Sequence, residues 1–106
     1  MVGLRFVFDT QRNMRIHIVA AVLVISFGIY LKLTSLEMVI ISLTIMSVIV
    51  SEVFNTAIEL SLDFLNGKDH HPSVKLIKDI AAGGVLLASI NAVIVGSIIF
   101  LRHIKL

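Results

Sequence analysis

The sequence predicts an all-α integral membrane protein: three transmembrane helices preceded by a short amphipathic helix on the membrane surface. Three observations carry this. Hydrophobic residues make up 58% of the 106 residues, and the mean hydropathy is +1.03, more apolar surface than a soluble domain of this size can bury. Three apolar runs are each long enough to cross a bilayer, which takes about 20 helical residues. The Lys and Arg residues stand at the ends of those runs, where long cationic side chains reach the interface.

Taken in order, residues 3–15 mix Leu4, Phe6, Val7, Phe8 and Met14 with Arg5, Asp9, Gln11, Arg12 and Arg15. That mixture suits a helix lying in the headgroup region. No small-x-small cleavage pattern follows it, so the segment does not read as a signal peptide. The first span is expected over about 16–33 and the second over about 36–65, longer than a crossing requires. The short connection between them makes a hairpin. A polar loop with Asn66-Gly67, two histidines and Pro72 follows. The third span is expected over about 76–101, and the whole chain, 1–106, reads as a single domain.

In the third span a small residue recurs every fourth position, at Gly84, Ala88, Ala92 and Gly96. Small residues let membrane helices approach closely, and Ser89 and Asn91 can add interhelical hydrogen bonds. So small a protomer encloses its polar groups poorly, so self-association is expected.

Orientation follows from the cations. With the N-terminus in the cytoplasm, Arg5, Arg12, Arg15, Lys68, Lys75 and Lys78 are inside and Lys32, Arg102 and Lys105 outside, six against three. The C-terminus is then outside. A pI near 9.3 does not point to nucleic acid, because no basic tract carries interleaved aromatics. The absence of cysteine excludes disulfides, thiol nucleophiles and thiolate metal sites.

Glu52, Asn55 and Glu59 interrupt the apolar second span. At about 100° per residue they fall within roughly 60° of one another on one helix face, and Asp63 continues the stripe. Charge inside a membrane is costly and faces protein or water, where it serves a function more often than not. The plain alternative is a polar cluster that only packs helices together. Two carboxylates and an amide in one stripe favour chemistry: a sheltered carboxylate is a candidate general base. A second, nearer the surface, suits Mg²⁺, which takes few carboxylates when substrate phosphates complete its shell. Lys78 is a candidate phosphate ligand and Asp79 a polar partner for a nucleotide, although alone they read as an ordinary interfacial pair. His70-His71 and His17 lack the spacing of a zinc site. Gly83-Gly84 is no phosphate-binding loop of the Walker type, and no kinase-fold signature or hydrolase triad is present.

Glu52-Val-Phe-Asn55-Thr-Ala-Ile-Glu59, then Asp63, then Lys78-Asp79-Ile-Ala-Ala-Gly-Gly-Val-Leu resembles the prokaryotic diacylglycerol kinase family. The stretches Asn13-Met14-Arg15-Ile16-His17 and His71-Pro72…Lys75-Leu-Ile-Lys78-Asp79 are closer to its undecaprenol kinase branch. The resemblance covers nearly the whole chain. It implies a homotrimeric enzyme of the bacterial inner membrane that moves the γ-phosphoryl of MgATP to a lipid hydroxyl, undecaprenol before diacylglycerol. It further implies that Glu52 is the general base, that Asn55 orients the hydroxyl and the phosphates, and that Glu59 ligates Mg²⁺. Lys78, Asp79, Asp69, His70, His71, Asn55 and Asp63 are expected around ATP. Glu52, Asn13, Met14, Arg15, His17 and Ala82 are expected around the lipid.

One departure stands out. Where the family pattern has a glutamate as second metal ligand, this chain has Gln11. An amide oxygen ligates Mg²⁺ without the charge, so a weakened metal site is expected. A different class of reading, a non-catalytic membrane subunit whose stripe packs an oligomer, stays open beside the kinase. A small ion-conducting oligomer is disfavoured, since the strongest polar residues cluster at one end rather than along a span.

Overall fold

A computed structural model describes residues 2–67 and 71–104, and all regular structure among them is helical. Four helices follow in order: α1 (Val2–Thr10), α2 (Arg12–Tyr30), α3 (Ser35–Asn66) and α4 (Pro72–His103). The last three are long and apolar enough to cross a membrane, which makes the chain a multi-pass membrane protein. Helix α3 is central and packs against both α2 and α4, while α1 rests on α2 and α3. The molecule measures 54 × 28 × 20 Å.

The N-terminal segment differs from the continuous stretch expected over 3–15. Gln11 is extended (φ −104°, ψ 110°) and divides α1 from α2, so that Asn13, Met14 and Arg15 form the first turn of α2. No Pro or Gly marks this break. Arg15 braces it: its Nη1 donates to the carbonyls of Phe8 at 3.2 Å and Asp9 at 2.9 Å. These are C-terminal carbonyls of α1, which lack helical partners. Val7 and Met14, one on each side of the elbow, are buried.

The α2–α3 turn is tight because three residues each meet a local demand. Lys32 adopts a left-handed conformation (φ 58°). Its N–H donates to Ile29 O at 3.1 Å, and Leu33 N–H donates to Gly28 O at 3.1 Å, the paired bonds of a Schellman ending. Leu33 folds back onto Gly28, where a Cβ would sit 3.0 Å from Leu33 Cδ1 and 3.2 Å from Met38 Sδ. Helix α3 then starts with a capping box, Thr34 Oγ1 accepting from Glu37 N–H at 3.2 Å and Glu37 Oε1 from Thr34 N–H at 2.9 Å.

At 32 residues, α3 is about 48 Å long, well beyond a hydrocarbon core of about 30 Å. A helix entering the hydrocarbon at Ser35 leaves it after about 20 residues, near Asn55. This length carries Glu59 and Asp63 past the apolar layer. Gly67 (φ 63°) ends α3. His71 caps α4 through Nδ1, which accepts from Ser73 N–H at 3.1 Å, and Pro72 occupies the first helical turn.

Few side chains are buried within the chain, Val7, Met14, Ile41, Val48 and Ile99 among the apolar ones. Leu, Ile, Val and Phe side chains are exposed along all three long helices, as lipid-facing surface requires. Of the small residues of the third span, Ala88 and Ala92 are half-buried. A Cβ at Gly84 or Gly96 would meet no atom within 4 Å.

Candidate active site

Helix α3 presents the polar stripe where it leaves the apolar layer. Glu52 is 2% exposed, enclosed where α2 crosses it, and His17 of α2 places Nε2 3.9 Å from its Oε2. Thr56, 1% exposed, donates through Oγ1 to the Glu52 carbonyl at 2.9 Å. That bond satisfies the hydroxyl within the helix and leaves the Glu52 carboxylate uninvolved. One turn on, Asn55 is buried, and its Nδ2 donates to Glu59 Oε1 at 3.3 Å. Its Oδ1 is buried with no hydrogen-bond partner. A buried carbonyl oxygen without a donor is costly, and it marks a place where an incoming donor gains a bond.

Beyond Asn55 the stripe becomes more accessible. Lys78 of α4 donates to Asp63 Oδ1 at 2.6 Å, tying the two helix ends together across the loop. Asp79 is held by Lys75 at 2.8 Å, an exposed i,i+4 pair. Glu59 and Lys78 are half-buried, while Asp63, Asp79 and His71 are exposed. A graded column results: a buried carboxylate at Glu52, an unsatisfied amide one turn away, then half-buried Glu59 and Lys78 and exposed Asp63.

The expected site residues divide accordingly. Glu52, Asn55, Glu59, Lys78 and His17 are buried or half-buried on α2, α3 and α4, and exposed Asp63 meets Lys78. His71 serves α4 as its cap. Arg15 uses Nη1 on the end of α1, and Met14 is buried in protein at 3% exposure. Asn13 and Ala82 are exposed, and Gln11 is half-buried at the α1–α2 break. Asp69 and His70 lie outside the described residues.

Among the described residues no three His, Asp or Glu side chains converge as a preformed metal cage. The donors do fit Mg²⁺ arriving with a nucleotide: Glu59 is one partly solvated carboxylate, and the unpartnered Asn55 Oδ1 stands one turn before it. Phosphate oxygens complete such a shell in kinase-type sites.

Two side chains at the other end of the molecule escaped the reading of the sequence. Glu37 and His103 pair across α3 and α4. The Thr34-x-x-Glu37 spacing is a capping-box signature and could have identified Glu37. Nothing local marks His103.

A family model described as prokaryotic diacylglycerol kinase matches residues 1–100. The chain is similar to a diacylglycerol kinase of Synechocystis, 42% identical over 99 residues, which are 93% of this chain and 57% of that protein. It is similar to the undecaprenol kinase of Bacillus subtilis, 40% identical over 92 residues, 87% of this chain and 74% of the relative. It is also similar to the diacylglycerol kinase of Escherichia coli strain K12, 30% identical over 101 residues, 95% and 82% of the two chains. The chain thus spans little more than half the length of the Synechocystis protein.

Proposed function

This chain belongs to the prokaryotic diacylglycerol kinase family, and from that premise we propose that it is a lipid kinase. It transfers the γ-phosphoryl group of ATP to the hydroxyl of a membrane lipid alcohol. The observation that carries the reading is Glu52, a carboxylate 2% exposed, at the buried end of a column whose other end holds the more accessible Glu59, Asp63 and Lys78. Few arrangements need a base at the membrane edge and phosphate-binding groups just above it. Transfer between a soluble nucleotide and a lipid hydroxyl is one.

The lipid oxygen attacks the γ-phosphorus while its proton passes to Glu52. The bond between the γ-phosphorus and the β,γ-bridging oxygen breaks, and ADP leaves with that oxygen. Asn55, one turn beyond Glu52 on the same helix, helps to orient the acceptor hydroxyl and the phosphates. Lys78 turns from Asp63 to the phosphates, and Asp63, Asp79 and His71, with Asp69 and His70 from the loop, surround the nucleotide. Glu59, and more weakly the Gln11 amide, would hold Mg²⁺, which would neutralise phosphate charge. Phosphoryl transfer asks a protein for such positioning and electrostatics more than for covalent chemistry. His17, beside Glu52, and Asn13, Arg15 and Ala82 frame the lipid side, with Met14 packing beneath them.

Undecaprenol is the first acceptor we assign, on the residues around Asn13 to His17 and His71 to Asp79. Diacylglycerol is the second reading, favoured by the name of the Synechocystis relative, 42% identical to this chain. The enzyme works as a homotrimer in the bacterial inner membrane, with the Glu52 end toward the cytoplasm and its ATP. The test is ATP-dependent phosphorylation in lipid nanodiscs, offering undecaprenol and diacylglycerol in parallel with Mg²⁺. Transfer to either establishes the reaction and chooses the acceptor. A well-assembled oligomer that phosphorylates neither lipid is the non-catalytic subunit instead.

A further inference from the structure

Phosphoryl transfer to an alcohol frees one proton per cycle, because the O–H bond of the acceptor is lost as its O–P bond forms. On the lipid-kinase reading that proton lands on Glu52, which must lose it again before the next turnover. The routes along α3 are closed. Thr56 Oγ1 is donated to the Glu52 carbonyl at 2.9 Å. Asn55 Nδ2 is donated to Glu59 at 3.3 Å, and an amide does not ionise near neutral pH. Glu59 itself stands two turns away, about 10 Å along the helix axis.

Across the helix interface a carrier is at hand. His17 places Nε2 3.9 Å from Glu52 Oε2, and its side chain is 22% exposed against 3% for that of Glu52. The separation is too long for a hydrogen bond, and a shift of about 1 Å in either side chain makes it one. Imidazole both takes and gives a proton near neutral pH. His17 also lies on the way out: Asn13, one turn nearer the start of α2 on the same face, is exposed, as is Arg12. Among the described residues no other titratable group competes for His17. From α3 it faces Glu52, with Glu59 beyond, and α4 brings Ser89 and Ala92 to the same region. On α1, Arg5 and Asp9 pair with each other at the surface, and Arg15 is committed to the carbonyls of Phe8 and Asp9.

We propose that His17 is the proton outlet of Glu52. The lipid O–H bond breaks and its proton binds a carboxylate oxygen of Glu52. Glu52 passes that proton to Nε2 of a neutral His17, which holds its own proton on Nδ1. The imidazolium so formed gives one proton to water, and the carboxylate and the neutral imidazole are restored. His17 thus acts after phosphoryl transfer and through Glu52, and it governs how soon the base can be used again. The assignment rests on the lipid-kinase reading for the source of the proton; the pairing of the two side chains is independent of it.

The test follows the lipid phosphate formed per site in nanodiscs, by rapid quench, for wild type, His17→Gln and His17→Ala. Glutamine keeps an N–H donor near the place of Nε2 and cannot carry a proton at neutral pH. His17→Gln is expected to form the first lipid phosphate at each site as fast as wild type and then to slow at least about tenfold, with the KM for ATP unchanged. Imidazole added to His17→Ala is expected to restore the steady rate in proportion to its concentration, with no effect on wild type. First and later turnovers slowed alike, or a His17→Ala rate indifferent to imidazole, overturn the assignment and leave His17 a packing or lipid-orienting group. The pair is also read without turnover, by ¹⁵N NMR of the histidine rings against pH, with His17→Gln identifying the signal. The His17 midpoint is expected to differ between wild type and Glu52→Gln, and an unchanged midpoint overturns the pairing. A moving midpoint in a wild type that phosphorylates no lipid sinks the kinase reading and leaves proton exchange between Glu52 and His17 standing.

Discussion

His103 places Nε2 2.9 Å from each carboxylate oxygen of Glu37, 66 residues away in the chain. The contact joins the last turn of α4 to the first turn of α3, at the end of the molecule away from Glu52. Glu37 serves two partners, since the same carboxylate completes the capping box with Thr34. His103→Ala leaves that carboxylate buried with one partner fewer, and is expected to lower the melting temperature in detergent. Thr34→Ala removes a helix cap and is expected to cost about 1 kcal/mol. Unchanged melting in both variants would show the contact to be incidental.

Glu52→Gln keeps the size of the side chain and removes its capacity to take a proton. Turnover is expected to fall at least about a hundredfold, the usual worth of a general base, with the oligomer and ATP binding intact. Loss of assembly, in a variant that never turned over lipid, would assign Glu52 a packing role.

Gln11→Glu restores a charge at the α1–α2 break. One added unit charge near a cation in a well-solvated site is worth about 1 kcal/mol, so the Mg²⁺ concentration for half-maximal rate is expected to fall roughly fivefold. Titration calorimetry of MgATP checks the same change without turnover. An identical Mg²⁺ dependence in both proteins would remove Gln11 from the metal site.

Lys78→Met separates binding from stability. The Lys78–Asp63 pair is partly solvent-exposed, and such pairs contribute about 1 kcal/mol or less. Thermal stability is expected to change little, while the KM for ATP rises by an order of magnitude or more. A large loss of stability with normal ATP affinity would make Lys78 a structural tie between α3 and α4.

Lys32→Gly tests the α2–α3 turn. A left-handed residue with a side chain carries a penalty of about 1–2 kcal/mol, partly offset by the greater freedom of glycine in the unfolded chain. A small rise in melting temperature is expected, with activity unaltered. A drop would mean that the Lys32 side chain contributes a contact outweighing the strain.

The spans were legible because membrane helices must satisfy their own backbone and display apolar side chains to lipid, and both demands are written locally. The polar stripe was legible for the same reason, since Glu52, Asn55 and Glu59 violate that pattern at helical spacing. Gln11 was not. A helix break without Pro or Gly depends on Arg15 reaching back to the carbonyls of Phe8 and Asp9 and on the burial of Val7 and Met14 to either side of it. Both are tertiary facts. Nor does spacing reveal that Glu37 meets His103 or that Lys78 meets Asp63, because each contact needs the antiparallel register of α3 and α4. The small residues of the third span were noticed correctly as a pattern. Within the chain Gly84 and Gly96 face open space; the close contact that the pattern leads one to expect is with a second copy.

The near-complete burial of Glu52 bears on a reaction the protein must avoid. Water is the most abundant hydroxyl in any cell, and it is a far smaller acceptor than a lipid alcohol. A base within its reach activates it as readily as the intended substrate, and the nucleotide is then hydrolysed for nothing. If Glu52, 2% exposed, is the base of the proposed kinase and the phosphates bind a turn or more above it, a hydroxyl delivered from the lipid side is the one that meets it. On that reading, selectivity against hydrolysis comes from the height of one side chain along α3.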